Sequence, residues 1–119
     1  MYLGHVGPVY HGELAAVLLG AAVGAFDEFE RILLTKPRHN APYVSRFMHR
    51  DGQRQWAQIR RLIDSAESNL YAVGDKYALL GEQWLAGDKP SNADFLALGS
   101  QLYTTIEFAW EATEYMFRA

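Results

Sequence analysis

The sequence predicts an all-α fold: a helical bundle of three long helices, or four if the second breaks at Gly74, with a short helix in a connector. Three observations carry that expectation. Trp56, Ile59, Ile63, Ala66, Leu70, Val73, Tyr77, Leu80 and Trp84 follow one another in alternating steps of three and four. That is the spacing of one helical face and not of a strand. Two more apolar stripes recur in the same way: Leu14, Leu18, Ala22, Phe26, Phe29 and Leu33 early in the chain, and Phe95, Leu98, Leu102, Ile106, Ala109, Thr113 and Met116 late in it. No stretch reads as a strand, and there is no internal repeat or low-complexity segment.

The bulk numbers bound the rest. A chain of 119 residues is one domain, 1–119, and a chain of this size buries about two thirds of the surface it exposes when unfolded. Half the residues are apolar and 21% are charged, which is a globular composition and not a disordered one. There is no cysteine. Disulfides, thiol nucleophiles and cysteine-based metal sites are therefore excluded, and a reducing, cytoplasmic setting is expected. The longest apolar run, residues 14–26, is too short to cross a bilayer. The first 30 residues hold no Lys or Arg, so the basic segment that begins a secretion signal is missing. No membrane partner is expected.

Taken in order, residues 1–10 contain Gly4, Gly7 and Pro8 and read as an irregular arm. The first helix is expected over residues 12–35, ended by Pro37, which cannot continue the hydrogen-bond ladder. Its first half is apolar nearly all round, which predicts burial on more than one side. Gly20 and Gly24 are four apart there, and tight packing against another helix of the same chain is their expected use.

Residues 36–52 form a basic connector in which Pro37 and Pro42 exclude a long helix. A short helix is expected at residues 43–49, with Val44, Phe47 and Met48 facing inward. The second helix should begin near Gln53. At Gly74-Asp75 a kink or short interruption is expected, with Gly as a helix stop and Asp as an N-cap. If the helix stays straight instead, its Tyr77–Trp84 end projects and becomes a dimer contact. Residues 86–91 read as a loop. Ser91 and Asp94 then form a capping box at the start of the last helix, which runs to about Phe117.

The segment at residues 84–95 reads Trp-Leu-Ala-Gly-Asp-Lys-Pro-Ser-Asn-Ala-Asp-Phe. It resembles the stretch entering the buried helix of glutathione-transferase C-terminal domains, which reads Leu-x-Gly-Asp and then Ser/Thr-x-x-Asp-Phe. The likeness implies a local structural motif, with Ser91 and Asp94 in the capping roles. It implies no activity, because the thioredoxin-like half that holds glutathione in that family has no counterpart before it.

Charge is unevenly placed. Residues 1–30 carry a balance of −4, residues 31–61 one of +7, and residues 62–119 one of −6, which together give the net −3. Such asymmetry speaks about partners and not about fold. The connector and the start of the second helix hold the candidate binding residues Arg38, Tyr43, Arg46, His49, Arg50 and Arg54, with His39 and Phe47 among them. Arginines interleaved with aromatics suit phosphate contact with base stacking. They suit an acidic protein surface equally well, or pairing with the chain's own acidic ends. Arginine dominates over lysine here, which favours planar bidentate pairing.

Catalytic signatures are sparse. Glu107, Glu111 and Glu114 share a helical face, but the Glu-x-x-His pairs of di-metal bundles do not occur. All four histidines, His5, His11, His39 and His49, lie in the first 49 residues. Asp27-x-x-Glu30, Asp64-x-x-Glu67 and Glu111-x-x-Glu114 imitate the carboxylate pairs of pyrophosphatase-type bundles, which hold magnesium. A solvated acidic face explains them as well. No serine lies in a nucleophile elbow, and there is no Gly-rich phosphate loop after a strand. No cofactor is expected.

The function expected from these residues is that of a small non-enzymatic helical interaction protein, of inhibitor, immunity or regulatory type. It binds a protein partner and forms a homodimer. Two rival readings stand beside it: a nucleotide- or nucleic-acid-binding module using the Arg/aromatic segment at residues 36–61, and a small bundle enzyme with a carboxylate metal site.

Overall fold

The computed structural model describes residues 6–36, 45 and 48–118. Among them are three long helices and no strand: α1 (Val6–Thr35), α2 (Arg50–Leu85) and α3 (Asn92–Arg118). They pack side by side into a rod 66 Å long and 17–18 Å across. One residue layer of each helix fills the interior, so most of every helix surface remains on the outside.

The seam on α2 behaves as its spacing predicts. Ile59, Ile63, Ala66, Val73 and Leu80 are buried, and Trp56, Leu70 and Tyr77 pack against the core from its edges. Leu62 joins them in the interior. The expected break at Gly74 does not occur: α2 runs unbroken through 36 residues, about 54 Å at 1.5 Å per residue. A mid-helix glycine costs only about 1 kcal/mol against alanine, and a seam holding phase on both sides outweighs that. The far end of α2 does not project as a straight helix was expected to make it. Leu80 is buried in a cluster with Leu98 of α3, and the Lys89 ammonium lies 5.8 Å from the centre of the Trp84 ring.

The ends of the helices follow local chemistry. Gly87 takes φ +98°, a left-handed conformation that suits glycine at a helix end. Its N–H donates to the Trp84 carbonyl at 3.0 Å. At the start of α3 the Asp94 N–H donates to Ser91 Oγ at 3.2 Å, and the Ser91 N–H donates back to Asp94 Oδ2 at 3.0 Å. That is the capping box expected from the sequence. The Ser91 backbone N–H and, next, the Ser91 hydroxyl, which lies 3.1 Å from the same Asp94 oxygen, hold the Asp94 carboxyl below the usual carboxylate range.

Two boundaries differ from expectation. Helix α1 begins at Val6 and not near Gly12, because Pro8 falls in the first turn, where backbone N–H groups have no intrahelical acceptor to lose. Helix α2 begins at Arg50, with His49 as its N-cap. The connector helix expected at residues 43–49 lies mostly outside the described residues. A turn in which the Met48 N–H donates to the Ser45 carbonyl is seen. Met48 is exposed, not inward, since this turn precedes the first buried positions of α2.

Inside α1 the core is Ala15, Leu19, Ala22, Phe26, Phe29 and Leu33. The second half matches the expected stripe. The first half is displaced by one residue: Leu14 is exposed and Leu18 is half-buried. An all-apolar segment has no polar residues to fix its phase, so packing against α2 and α3 chose it. On α3, Leu98, Leu102 and Ala109 are buried as expected, together with Thr105 and Ala112.

Candidate interaction surface

The arginine segment is only partly placed. Arg38, Tyr43 and Arg46, with His39 and Phe47, lie outside the described residues. His49 has a structural job: its Nδ1 accepts the backbone N–H of Asp51 at 3.1 Å, capping α2 as a serine or asparagine would. The Asp51 carboxylate lies 3.6 Å from the same nitrogen. Arg50 and Arg54 are exposed, one turn apart on the start of α2. Pairing with the chain's own acidic ends, one of the three uses open to these arginines, is not seen for Arg50 or Arg54 among the described residues. The ion pairs that do form lie along single helices, as Arg60–Asp64 at 3.1 Å and Arg31–Glu28. The Arg31 guanidinium donates to both Glu28 oxygens, which lowers the glutamate pKa and raises that of the arginine.

Acidic residues on α3 face solvent. Glu107, Glu111 and Glu114 are exposed, and Glu114 lies 3.9 Å from Arg118. A carboxylate metal site needs Glu111 and Glu114 turned inward beside Asp27 and Glu30. Asp27 is exposed, and Glu30 is occupied on α2, accepting from Trp56 Nε1 at 2.8 Å. No group of three His, Asp or Glu able to hold a metal ion is found among the described residues.

What the structure does bring together is an apolar face. Leu96, Tyr103, Trp110 and Phe117 recur every seven residues along the outside of α3 and are 74%, 68%, 56% and 88% exposed. Gly99, Ile106 and Thr113 follow each of the first three at the third position. Only one of the two heptad positions of a coiled-coil seam therefore carries an exposed apolar group, since Gly99 has no side chain and Ile106 packs against the core. This single-position seam lies on the side of α3 turned away from α2. Such a seam was legible as a strict seven-residue repeat. The inner stripe, which carries more residues, hid it.

The neighbouring wall comes from α1. A shallow groove of about 190 Å³ between the two helices has Ala25, Glu28 and Ile32 on one side and Thr113 and Phe117 on the other. Helical spacing carries the α1 wall back through Ala21, Val17 and Leu14, all exposed. Residues 14–26 carry no charge. The two helices run parallel, since Ala15 clusters with Leu98 and Leu102 while Phe29 clusters with Ala112. One face thus combines bulky projecting groups from α3 with small ones from α1.

Gly20 and Gly24 border this face, and the expectation that they permit tight packing within the chain is not met. Both are exposed, and nothing stands within 4 Å of where a Cβ would lie on either. Each costs about 1 kcal/mol relative to alanine in a helix, with no close approach inside the rod in return.

A second groove of about 310 Å³ lies where α1, α2 and α3 meet, lined by Gly12, Ala16, Leu70, Gly74, Tyr77 and Leu102. No helix among the described residues is long and apolar enough to cross a membrane. Comparison with protein-family models, with curated proteins and with solved structures returns no match.

Proposed function

We propose that this chain is a small non-enzymatic helical interaction protein, of inhibitor, immunity or regulatory type, whose α1–α3 face binds a protein partner. The observation that carries the reading is the exposed repeat of Leu96, Tyr103, Trp110 and Phe117. Proteins that act alone rarely leave a contiguous apolar patch larger than a few hundred Å² uncovered. Tyr and Trp are the residues most often found as binding hot spots. The acidic residues Glu107, Glu111 and Glu114 border the face as a polar rim. The test is capture from native lysate by immobilised wild type and by Trp110→Glu. A partner held by the first and lost by the second is the expected result. Equal capture by both would remove this face from the function.

A second reading has one observation in its favour. Arg50, Arg54 and Arg61 are exposed on one side of α2, with no ion pair to a described residue. Such a row suits nucleotide or nucleic-acid phosphates. It predicts binding that weakens steeply with salt and with Arg50→Ala. No binding to RNA, DNA or nucleotides at low salt ends it.

A further inference from the structure

We infer that the partner of the α1–α3 face is a second copy of this chain, with α3 of each copy lying over α1 of the other. The inference rests on the interaction reading above and names its partner. Three observations lead to it.

The first is area. Helix α3 has 27 residues and the rod is 18 Å wide, so the whole side of the rod along α3 has a footprint on the order of 700 Å² at 1.5 Å rise per residue. A stable interface needs roughly 800 Å² from each side. That side of the rod is therefore long and wide enough to supply about what one copy contributes to a dimer.

The second is shape. One side of the face projects along its length, and the other is low at its middle. Leu96, Tyr103, Trp110 and Phe117 stand out from α3. Ala21, Gly24 and Ala25 leave α1 low, with open space above Gly24. A two-fold axis through the face sets the projections of one copy on the low side of the other, twice over, as an isologous contact requires. The projections recur every seven residues, the spacing of one knob position against a facing helix.

The third is charge. The α1 side is neutral through residues 14–26, and Glu28, which lines the groove near Phe117, is already paired with Arg31 of its own helix. The rim acids Glu107, Glu111 and Glu114 remain at the solvent edge of the same seam. They also disfavour an anionic membrane surface as the occupant.

The test uses two variants near the middle of the face, Tyr103→Glu on α3 and Ala21→Arg on α1. Both side chains are exposed, so neither change disturbs the core, and unchanged far-UV circular dichroism verifies the fold. Sedimentation should give wild type at twice the 13.5 kDa of one chain. Each variant should be monomeric under the same conditions, with dimer affinity weakened by roughly 30-fold or more, as for loss of a hot spot. An equimolar mixture of the two should regain the dimer. In the mixed pair one contact joins the introduced arginine to the introduced glutamate, and the other is wild type on both sides.

A wild type that stays monomeric at about 100 µM, a concentration that detects even weak dimers, overturns self-association. If lysate capture still depends on Trp110, the interaction reading survives that result. If capture is independent of Trp110, both fall. Variants that dimerise like wild type, or a mixture that stays monomeric, overturn the pairing of α3 with α1. Co-sedimentation of the monomer with phosphatidylcholine vesicles, lost in Tyr103→Glu, overturns the dimer in favour of a lipid surface.

Discussion

The Asn69 side-chain amide on α2 donates to the Thr105 hydroxyl on α3 at 2.7 Å, and Thr105 is fully buried. The same amide donates to the Gln101 carbonyl, and the Thr105 hydroxyl donates to that carbonyl at 3.3 Å. This is a polar contact between the clusters formed around Phe26 and Leu98, in a core otherwise made of aliphatic and aromatic side chains. Apolar side chains slide past one another at little cost. A hydrogen bond between helices does not, so this contact fixes the register of α2 on α3.

Thr105→Val keeps the volume and removes the hydroxyl. Asn69 then loses one acceptor in a part-buried site. The expected loss is about 1–2 kcal/mol, a fall in Tm of about 4–8 °C per kcal/mol for a small domain. Thermal unfolding followed by circular dichroism reads it. A change within error would mean that the contact carries no stability.

Trp56 joins α2 to α1. Its Nε1–H donates to Glu30, its ring lies 6.1 Å from that of Phe26 at a 44° tilt, and the Arg60 guanidinium sits 6.0 Å from the Phe26 ring. Trp56→Phe retains part of the stacking and leaves the half-buried Glu30 carboxylate without this donor. A loss of about 1–3 kcal/mol is expected. In a double-mutant cycle with Glu30→Gln the two changes should be non-additive, because they remove one hydrogen bond. Strict additivity would show that the bond contributes nothing.

Gly74→Ala should stabilise. The helix is continuous there, the glycine is exposed, and a Cβ would meet nothing within 4 Å. The gain should be about 1 kcal/mol, from helix propensity and a less flexible unfolded chain. Urea unfolding gives the number. A destabilised variant would mean that α2 bends at this point in solution.

Acid should weaken the capping box. The Asp94 carboxyl is held below its ordinary value in the folded chain. A depressed folded pKa contributes stability that is complete above the unfolded value near 3.9. It is lost as pH falls through the ordinary carboxylate range toward the lowered folded value. Glu28 adds to the same limb through Arg31. The urea midpoint measured between about pH 7 and pH 2.5 should therefore fall more steeply for wild type than for Asp94→Asn across that range. Parallel curves would remove Asp94 as the cause. Ser91→Ala, which removes the reciprocal partner, should cost about 1 kcal/mol at neutral pH.

Period alone was enough to read α2 in the sequence. Its polar residues alternate with the seam and leave a single way to bury it, so nearly every seam position is where its spacing puts it. The capping box at Ser91 and Asp94 was equally legible, because three residues and two hydrogen bonds define it locally. The candidate site was legible only in part. Arg50 and Arg54 were found as exposed charge, whereas His49, read as a ligand-binding residue, serves as a helix cap. Capping by histidine has no strong sequence signal.

The sequence by itself determined the all-α class, the helix faces wherever polar residues mark them, and the lack of cysteine chemistry. Tertiary structure decided what period cannot. It chose the phase of the first half of α1, where every side offers apolar groups and only contact with α2 and α3 separates Ala15 from Leu14. It kept α2 unbroken at Gly74, because packing on both sides exceeds a local penalty of about 1 kcal/mol. It also turned Tyr103, Trp110 and Gly24 to the outside. A three-helix rod has room for one inner layer, and α1 and α3 each carry apolar residues enough for two.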